Sequence, residues 1–214
     1  GYSRAVIHDD ELLAMRDPDG FRPLYIGRRG DMHVIASETC ALDILAVEEF
    51  RQVEPGEIVT IDRNGVRSVS FGKNSKISQC VFELIYFARP DSQVFGESVH
   101  AMRKRMGAAL ARIDEFTGDI VVPVPDSGNI AALGYAEEAG IPFEMGLQRN
   151  HYAGRSFIMP TTAQRELAVR MKLHPVKTAI RGKRIILIDD SIVRGTTSRI
   201  LVNLLKEAGA KEVH

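Results

Sequence analysis

The 214-residue sequence predicts two folds in series, an antiparallel strand-rich α+β region followed by an α/β region on a parallel sheet. Three observations carry this. The first 71 residues hold short apolar runs separated by turn clusters, with one brief helical pattern. A polar link, Gly72-Lys73-Asn74-Ser75-Lys76, interrupts that texture. Beyond it, continuous apolar strands alternate with helical periodicity, which argues strand–helix–strand crossovers. The division falls at residues 1–75 and 76–214, and each part reads as an incomplete domain.

In the first part, Arg4–Ile7, Leu12–Met15, Leu24–Ile26 and His33–Ala36 are predicted strands. Asp17-Pro18-Asp19-Gly20 and residues 27–31 form the turns between them. Ser37 is placed to cap a short helix over 38–45. Glu57–Ile61 and Val66–Phe71 flank Asn64-Gly65, a strong hairpin signal. In the second part, Ser98–Ile113 has helical periodicity, and Asp119–Val124 is a continuous apolar strand. Asn129–Ala139 is a helix ended by Gly140, and Pro142–Met145 a short strand. Ala163–Leu173 reads as helical, Arg184–Ile188 as a buried strand, and Thr197–Ala208 as a helix ended by Gly209.

Composition excludes several classes. With 44% hydrophobic and 26% charged residues, the chain is neither disordered nor collagen-like. No apolar run approaches the roughly 20 residues of a membrane span. Two cysteines, Cys40 and Cys80, make no disulfide framework, and no N-glycosylation sequon occurs, so a reducing cytoplasm is expected. The net charge of zero hides an asymmetry. Residues 1–62 carry six arginines and 13 carboxylates, while residues 148–184 carry nine basic residues against Glu166 alone. A basic segment in a neutral chain fits a local anionic ligand as well as a solvated helix face. It does not make the broad positive field of a nucleic-acid binder. The chain opens at Gly1 without Met and stops at Glu212-Val213-His214 as a new strand begins, so it reads as a piece of a longer protein.

The chemistry concentrates in residues 184–198, where the strand Arg184–Ile188 runs into Asp189-Asp190-Ser191 and then Arg194-Gly195-Thr196-Thr197-Ser198 at a helix start. Ligands of open α/β sheets bind at strand carboxyl ends. Glycine and small hydroxyl residues opening a helix offer free amides and a positive dipole end, which suit a phosphate. Two carboxylates would repel phosphate, but they suit sugar hydroxyls or Mg²⁺. They share a ligand only if the chain turns at this point, because strand neighbours face opposite ways. Alone, the acidic pair fits a helix-capping role too. A second strand, ending in Pro123-Val124-Pro125-Asp126-Ser127-Gly128, also meets a helix, and there Asp126 or Ser127 can act as the cap. The dinucleotide motif G-x-G-x-x-G and the nucleotide motif G-x-x-x-x-G-K-[ST] are both absent.

Residues 184–198 resemble the phosphoribosyl-diphosphate (PRPP) signature of type I phosphoribosyltransferases. Gln79-Cys80-Val81-Phe82-Glu83-Leu84-Ile85-Tyr86-Phe87-Ala88-Arg89-Pro90-Asp91-Ser92 and the Val-Pro-Asp-Ser-Gly loop are similar to one branch, the glutamine PRPP amidotransferases (amidophosphoribosyltransferases). Gly154-Arg155-Ser156-Phe157 to Lys172-Leu173 resembles that branch's active-site lid. Arg16-Asp17-Pro18-Asp19-Gly20-Phe21-Arg22-Pro23-Leu24, Ala36-Ser37-Glu38-Thr39 and Glu54-Pro55-Gly56-Glu57 resemble the second half of its N-terminal-nucleophile glutaminase domain.

The resemblance implies the first committed step of purine synthesis, in which glutamine-derived ammonia attacks PRPP with loss of diphosphate. It places PRPP at Asp126, Ser127, Gly128, Asp189, Asp190, Ser191, Arg194, Gly195, Thr196, Thr197 and Ser198. Mg²⁺ falls to Ser127, Asp189 and Asp190, and a diphosphate-covering lid to Arg149, Arg155 and Arg165. Some members carry a 4Fe–4S cluster, for which Cys80 is either a ligand or an ordinary buried thiol. Glutamine is hydrolysed in the family by an N-terminal Cys. Position 1 is Gly, and Cys40 lies in a predicted helix, so this chain alone is expected not to hydrolyse glutamine. The resemblance also implies purine-nucleotide feedback and a homo-oligomer. Two alternatives are another type I phosphoribosyltransferase and a non-catalytic PRPP-binding regulator. The glutaminase-like first part argues against the former, and the lack of any DNA-binding motif against the latter.

Overall fold

The computed structural model describes residues 1–72, 76–151, 167 and 169–214, which form two compact units, Gly1–Met102 and Arg103–His214. The first unit begins with β1 (Ser3–His8), β2 (Glu11–Arg16), β3 (Tyr25–Arg29), β4 (Met32–Ala36) and α1 (Thr39–Ile44). Then come β5 (Glu49–Gln52), β6 (Glu57–Asp62) and β7 (Gly65–Ser70). The strands form two antiparallel sheets, ordered β1-β2-β6-β7 and β4-β3-β5. Period-two alternation turns Ala14, Val59 and Ile61 inward, where they pack with Leu24, Ile26 and Val53. Leu42 of α1 closes the other side of the smaller sheet against Tyr25 and Val47.

Two buried charges are satisfied within this unit. Arg16 donates to the carbonyls of Gly20, Arg22 and Val53. Glu57 accepts from Arg51 at 2.6 and 2.9 Å, from Ser68 at 2.5 Å and from the Glu54 amide at 2.6 Å. Burial by itself would raise the Glu57 carboxyl, but these partners outweigh it and hold it down at about 2.

Several local readings are corrected. The N-cap of α1 is Glu38, not Ser37, and makes no side-chain cap bond. Its carboxylate is taken instead by the Arg89 amide at 2.7 Å and the Ser92 hydroxyl at 2.9 Å. Strand β5, the π-helical turn Glu83–Phe87 and the hairpin β8 (Gln93–Val94) with β9 (Glu97–Ser98) have no counterpart in the sequence reading. The change of texture near residue 76 and the change of packing partner after residue 102 are different divisions. Ser78 and Cys80 donate backbone bonds to Asp19 and Phe21, so this stretch packs with the first unit.

The second unit takes in most of α2 (Val99–Ile113), then β10 (Ile120–Pro123), α3 (Asn129–Ala139), β11 (Leu147–Arg149) and β12 (Leu173–Pro175). It ends with a short α4 (Lys177–Ile180), β13 (Arg184–Ile188), α5 (Thr196–Glu207) and β14 (Glu212–Val213). Its parallel sheet runs β10-β13-β14. Alternation divides the strands between two cores. Val121, Ile186 and Ile188 meet α3 through Ala132, Tyr135 and Ala136, while Val122 and Ile185 meet α5 through Leu201 and Leu205. Helices α2 and α3 cross with almost no gap. A Cβ on Gly107 would lie 1.8 Å from the Ala131 carbonyl oxygen, and one on Gly134 2.0 Å from that of Lys104.

The predicted strand at 142–145 contracts to one parallel bridge, Phe143 to Val121. The predicted helix over 163–173 lies partly outside the described residues, and Leu173 belongs to β12. Among the described residues no helix is long and apolar enough to cross a membrane.

Candidate functional site

The parallel ladder of β10 and β13 pairs Ile120 with Ile185 and ends with Pro123 beside Ile188. At the start of these strands Arg184 donates to the Asp119 carboxylate through its amide at 2.7 Å and its guanidinium at 2.8 Å. At the finish the Val124 amide donates to the Ile188 carbonyl at 2.8 Å. Both strands therefore stop at the same level, and the turns 124–128 and 189–195 emerge side by side.

The second turn leaves the strand after Ile188, which removes the strict alternation of Asp189 and Asp190. The Asp190 amide donates to Asp189 Oδ1 at 2.9 Å, and Ser191 Oγ to Asp190 Oδ2 at 2.7 Å. Burial pushes the Asp189 carboxyl up to about 6. The Asp190 amide opposes this, and the Asp190 side chain adds to it. Gly195, at φ +66°, then turns the chain into α5 in a conformation that favours glycine. Its carbonyl accepts from the Arg199 amide at 3.0 Å, which opens a 12-residue helix whose dipole aids an anion. A cavity of about 320 Å³ lies over this end. Asp189, Ser191 and the run Arg194 to Ser198 line it, with Val169, Ile192, Val193 and Ile200 as apolar wall. Those four were not singled out from the sequence. Ile192 and Val193 fall within the 184–198 run and Val169 within the lid-like run, with no role assigned to them there, while Ile200 lies outside both; folding alone gives them their place in the wall.

The first turn uses glycine differently. Gly128 has φ −79°, open to any residue, but a Cβ there would lie 2.5 Å from the Ile188 carbonyl oxygen and 2.9 Å from that of Val124. The first turn packs on the end of β13, where the second turn begins, through this missing side chain. Gly128 is itself the N-cap of α3, so the expected capping by Asp126 or Ser127 side chains is corrected. The Asp126 carboxylate accepts instead from Arg149 Nη1. Arg149 belongs to β11, paired with Leu173 in β12, whereas Arg155 and Arg165 lie outside the described residues. Cys80 is a buried free thiol in the first unit. Among the described residues no three His, Cys, Asp or Glu side chains gather as a metal site.

Donors made only of carboxylate and hydroxyl oxygen suit Mg²⁺, which takes one or two carboxylates and keeps water. A dication would also relieve the crowding of Asp189 and Asp190.

Residues 97–214 match the model of the phosphoribosyl transferase domain. The chain belongs to the phosphoribosyl transferase family. Its full length is also similar to chloroplastic amidophosphoribosyltransferase of Glycine max, 52% identical over 214 residues, covering 100% of this chain and 38% of that protein. The Bacillus subtilis amidophosphoribosyltransferase is 50% identical over 213 residues, covering 100% and 45%. A solved structure of the B. subtilis glutamine PRPP amidotransferase, complexed with ADP and GMP, superposes with a TM-score of 0.90 at 50% identity. It spans 100% of this chain and 47% of that one. This phosphoribosyl transferase chain thus spans 38–45% of the length of these two curated relatives, which are themselves amidophosphoribosyltransferases.

Proposed function

We propose that this chain is the PRPP-binding portion of an amidophosphoribosyltransferase, which forms 5-phosphoribosylamine from PRPP and glutamine-derived ammonia. The observation that carries this reading is the pairing of Pro123 with Ile188, which brings an acidic turn leading to a helix N-terminus beside a second, glycine-tight turn. The amides of Gly195, Thr196, Thr197 and Ser198 suit the 5-phosphate. Asp189 and Asp190 suit the ribose hydroxyls. Asp126, Ser127 and Gly128 suit the diphosphate, with Arg194 and the basic residues Arg149, Arg155 and Arg165 as further anion contacts.

Mg²⁺, held by Asp189, Asp190 and Ser127, would neutralise the leaving diphosphate. Ammonia's lone pair forms the new C1–N bond as the C1–O bond breaks. Diphosphate leaves with the bonding pair, and the nitrogen sheds one proton. The protein's part is to orient the reactants and stabilise charge. For a 4Fe–4S cluster this chain supplies one candidate ligand, Cys80. The same reading places the protein in the cytoplasm as a homo-oligomer. It also takes purine nucleotides as feedback ligands, in keeping with the ADP and GMP bound to the B. subtilis relative.

Calorimetry with PRPP and Mg²⁺ tests the site. Asp189→Asn combined with Asp190→Asn is expected to abolish binding, and an unchanged affinity overturns the assignment. Ammonia release from glutamine by this chain alone would contradict the placing of the nucleophile outside it.

A further inference from the structure

Among the described residues, two buried polar atoms lack a hydrogen-bond partner, Asn129 Oδ1 and Arg149 Nε. Such an atom is costly to bury, and native proteins keep few of them. Both flank the same turn. Asn129 follows Gly128 as the first residue of α3, and Arg149 grips the turn through Asp126. The Arg149 and Asp126 side chains are 36% and 55% exposed, so their ion pair contributes little to folding. Its position is more telling than its strength. It covers the Asp126 carboxylate of the turn assigned to diphosphate. The arginine's backbone is held by described residues. Its backbone pairs with Leu173, and the Asn150 amide donates to the Lys172 carbonyl at 2.7 Å.

We propose that the Arg149–Asp126 ion pair is an exchangeable latch on the diphosphate turn. On arrival of a Mg²⁺-bound diphosphate, a water retained on the cation takes the Asp126 carboxylate and the diphosphate oxygens take the Arg149 guanidinium, Nε included. The inference rests on the assignment of this turn to diphosphate. Each charge exchanges one partner for another, so none is left unpaired. A guanidinium suits the exchange, since its planar fork presents Nε and the terminal nitrogens to a phosphate together. Asn129 Oδ1 accepts from a metal-bound water, several of which Mg²⁺ retains. In the free protein Arg149 therefore competes with the metal for Asp126. In the complex it assists the substrate.

The test uses the full-length protein, with Mn²⁺ binding followed by electron paramagnetic resonance and PRPP binding with Mg²⁺ by calorimetry. Arg149→Gln is expected to bind Mn²⁺ alone more tightly but PRPP about tenfold more weakly. Arg149→Lys keeps the ion pair and hence the original Mn²⁺ affinity, yet loses PRPP affinity with Nε. In an Asp126→Asn background, Arg149→Gln no longer tightens Mn²⁺. Parallel weakening of both ligands in Arg149→Gln, with its melting temperature lowered, means a structural prop and overturns the latch. So does no change in either. Failure of the unaltered protein to bind PRPP would instead overturn the site assignment beneath it.

Discussion

Gly128→Ala tests the idea that the two site turns are built as one piece. At φ −79° and ψ −12° alanine incurs no backbone penalty, so the whole effect is steric. The new Cβ would lie 2.5 Å from the Ile188 oxygen, 2.9 Å from the Val124 oxygen and 3.1 Å from the Val124 nitrogen. All three are backbone atoms, one at the end of β13 and two at the start of the same turn, and they cannot rotate away, so the turn must move off β13 by roughly an ångström. Overpacking of this kind costs about 2 kcal/mol, within which falls the stretched Val124–Ile188 hydrogen bond, about 1 kcal/mol. For a unit of this size that lowers the melting temperature by roughly 8 °C. On the proposed assignment of PRPP to this site, separated turns would no longer hold phosphate and diphosphate at once, so PRPP affinity is expected to fall at least about tenfold. Differential scanning calorimetry and PRPP titration of the full-length protein read both effects. Gly140→Ala is the control, because Gly140 has φ +66° and no atom within 4 Å of an added Cβ. It strains a helix end and leaves PRPP affinity alone. Unchanged stability and unchanged affinity in Gly128→Ala would refute the close contact between the turns.

Two further outcomes are expected. Gly134→Ala forces a Cβ to 2.0 Å from the Lys104 oxygen, pushing α2 and α3 apart. Chemical denaturation should show a loss of about 1–3 kcal/mol despite alanine's better helix propensity, and equal or greater stability would contradict the close crossing. Glu57, held down at about 2, contributes stability that is fully present above pH 4.5 and disappears as the pH falls towards 2. Glu57→Gln should flatten that part of the acid-unfolding curve. An identical curve would mean that the Arg51, Ser68 and Glu54 contacts do not hold the carboxylate in solution.

Whatever depends on neighbours in the chain was legible from the sequence. Helix α3 begins at Asn129 and ends at Ala139 before Gly140, as periodicity and the glycine stop require. The strand Arg184–Ile188 and the Asn64-Gly65 hairpin likewise follow from local pattern. The run Arg194 to Ser198 is contiguous, so its suitability for phosphate is visible without a fold. Elements of two to four residues, such as β5, β11 and β12, carry too few side chains for either period to emerge. The cap at α3 was misread because a short polar side chain before a helix is normally its cap, and here Arg149 claims the Asp126 carboxylate first.

The sequence by itself determined the two fold classes, the acidic strand end at Asp189-Asp190 and the phosphate-suited helix start, because each is a property of adjacent residues. Only the tertiary structure decided that Pro123 stops beside Ile188, that Gly128 is glycine for want of space and not for its φ, and that Arg149 faces Asp126. Those are relations between residues 23 to 65 positions apart in the chain, set by strand register and packing distance, and no local pattern encodes them.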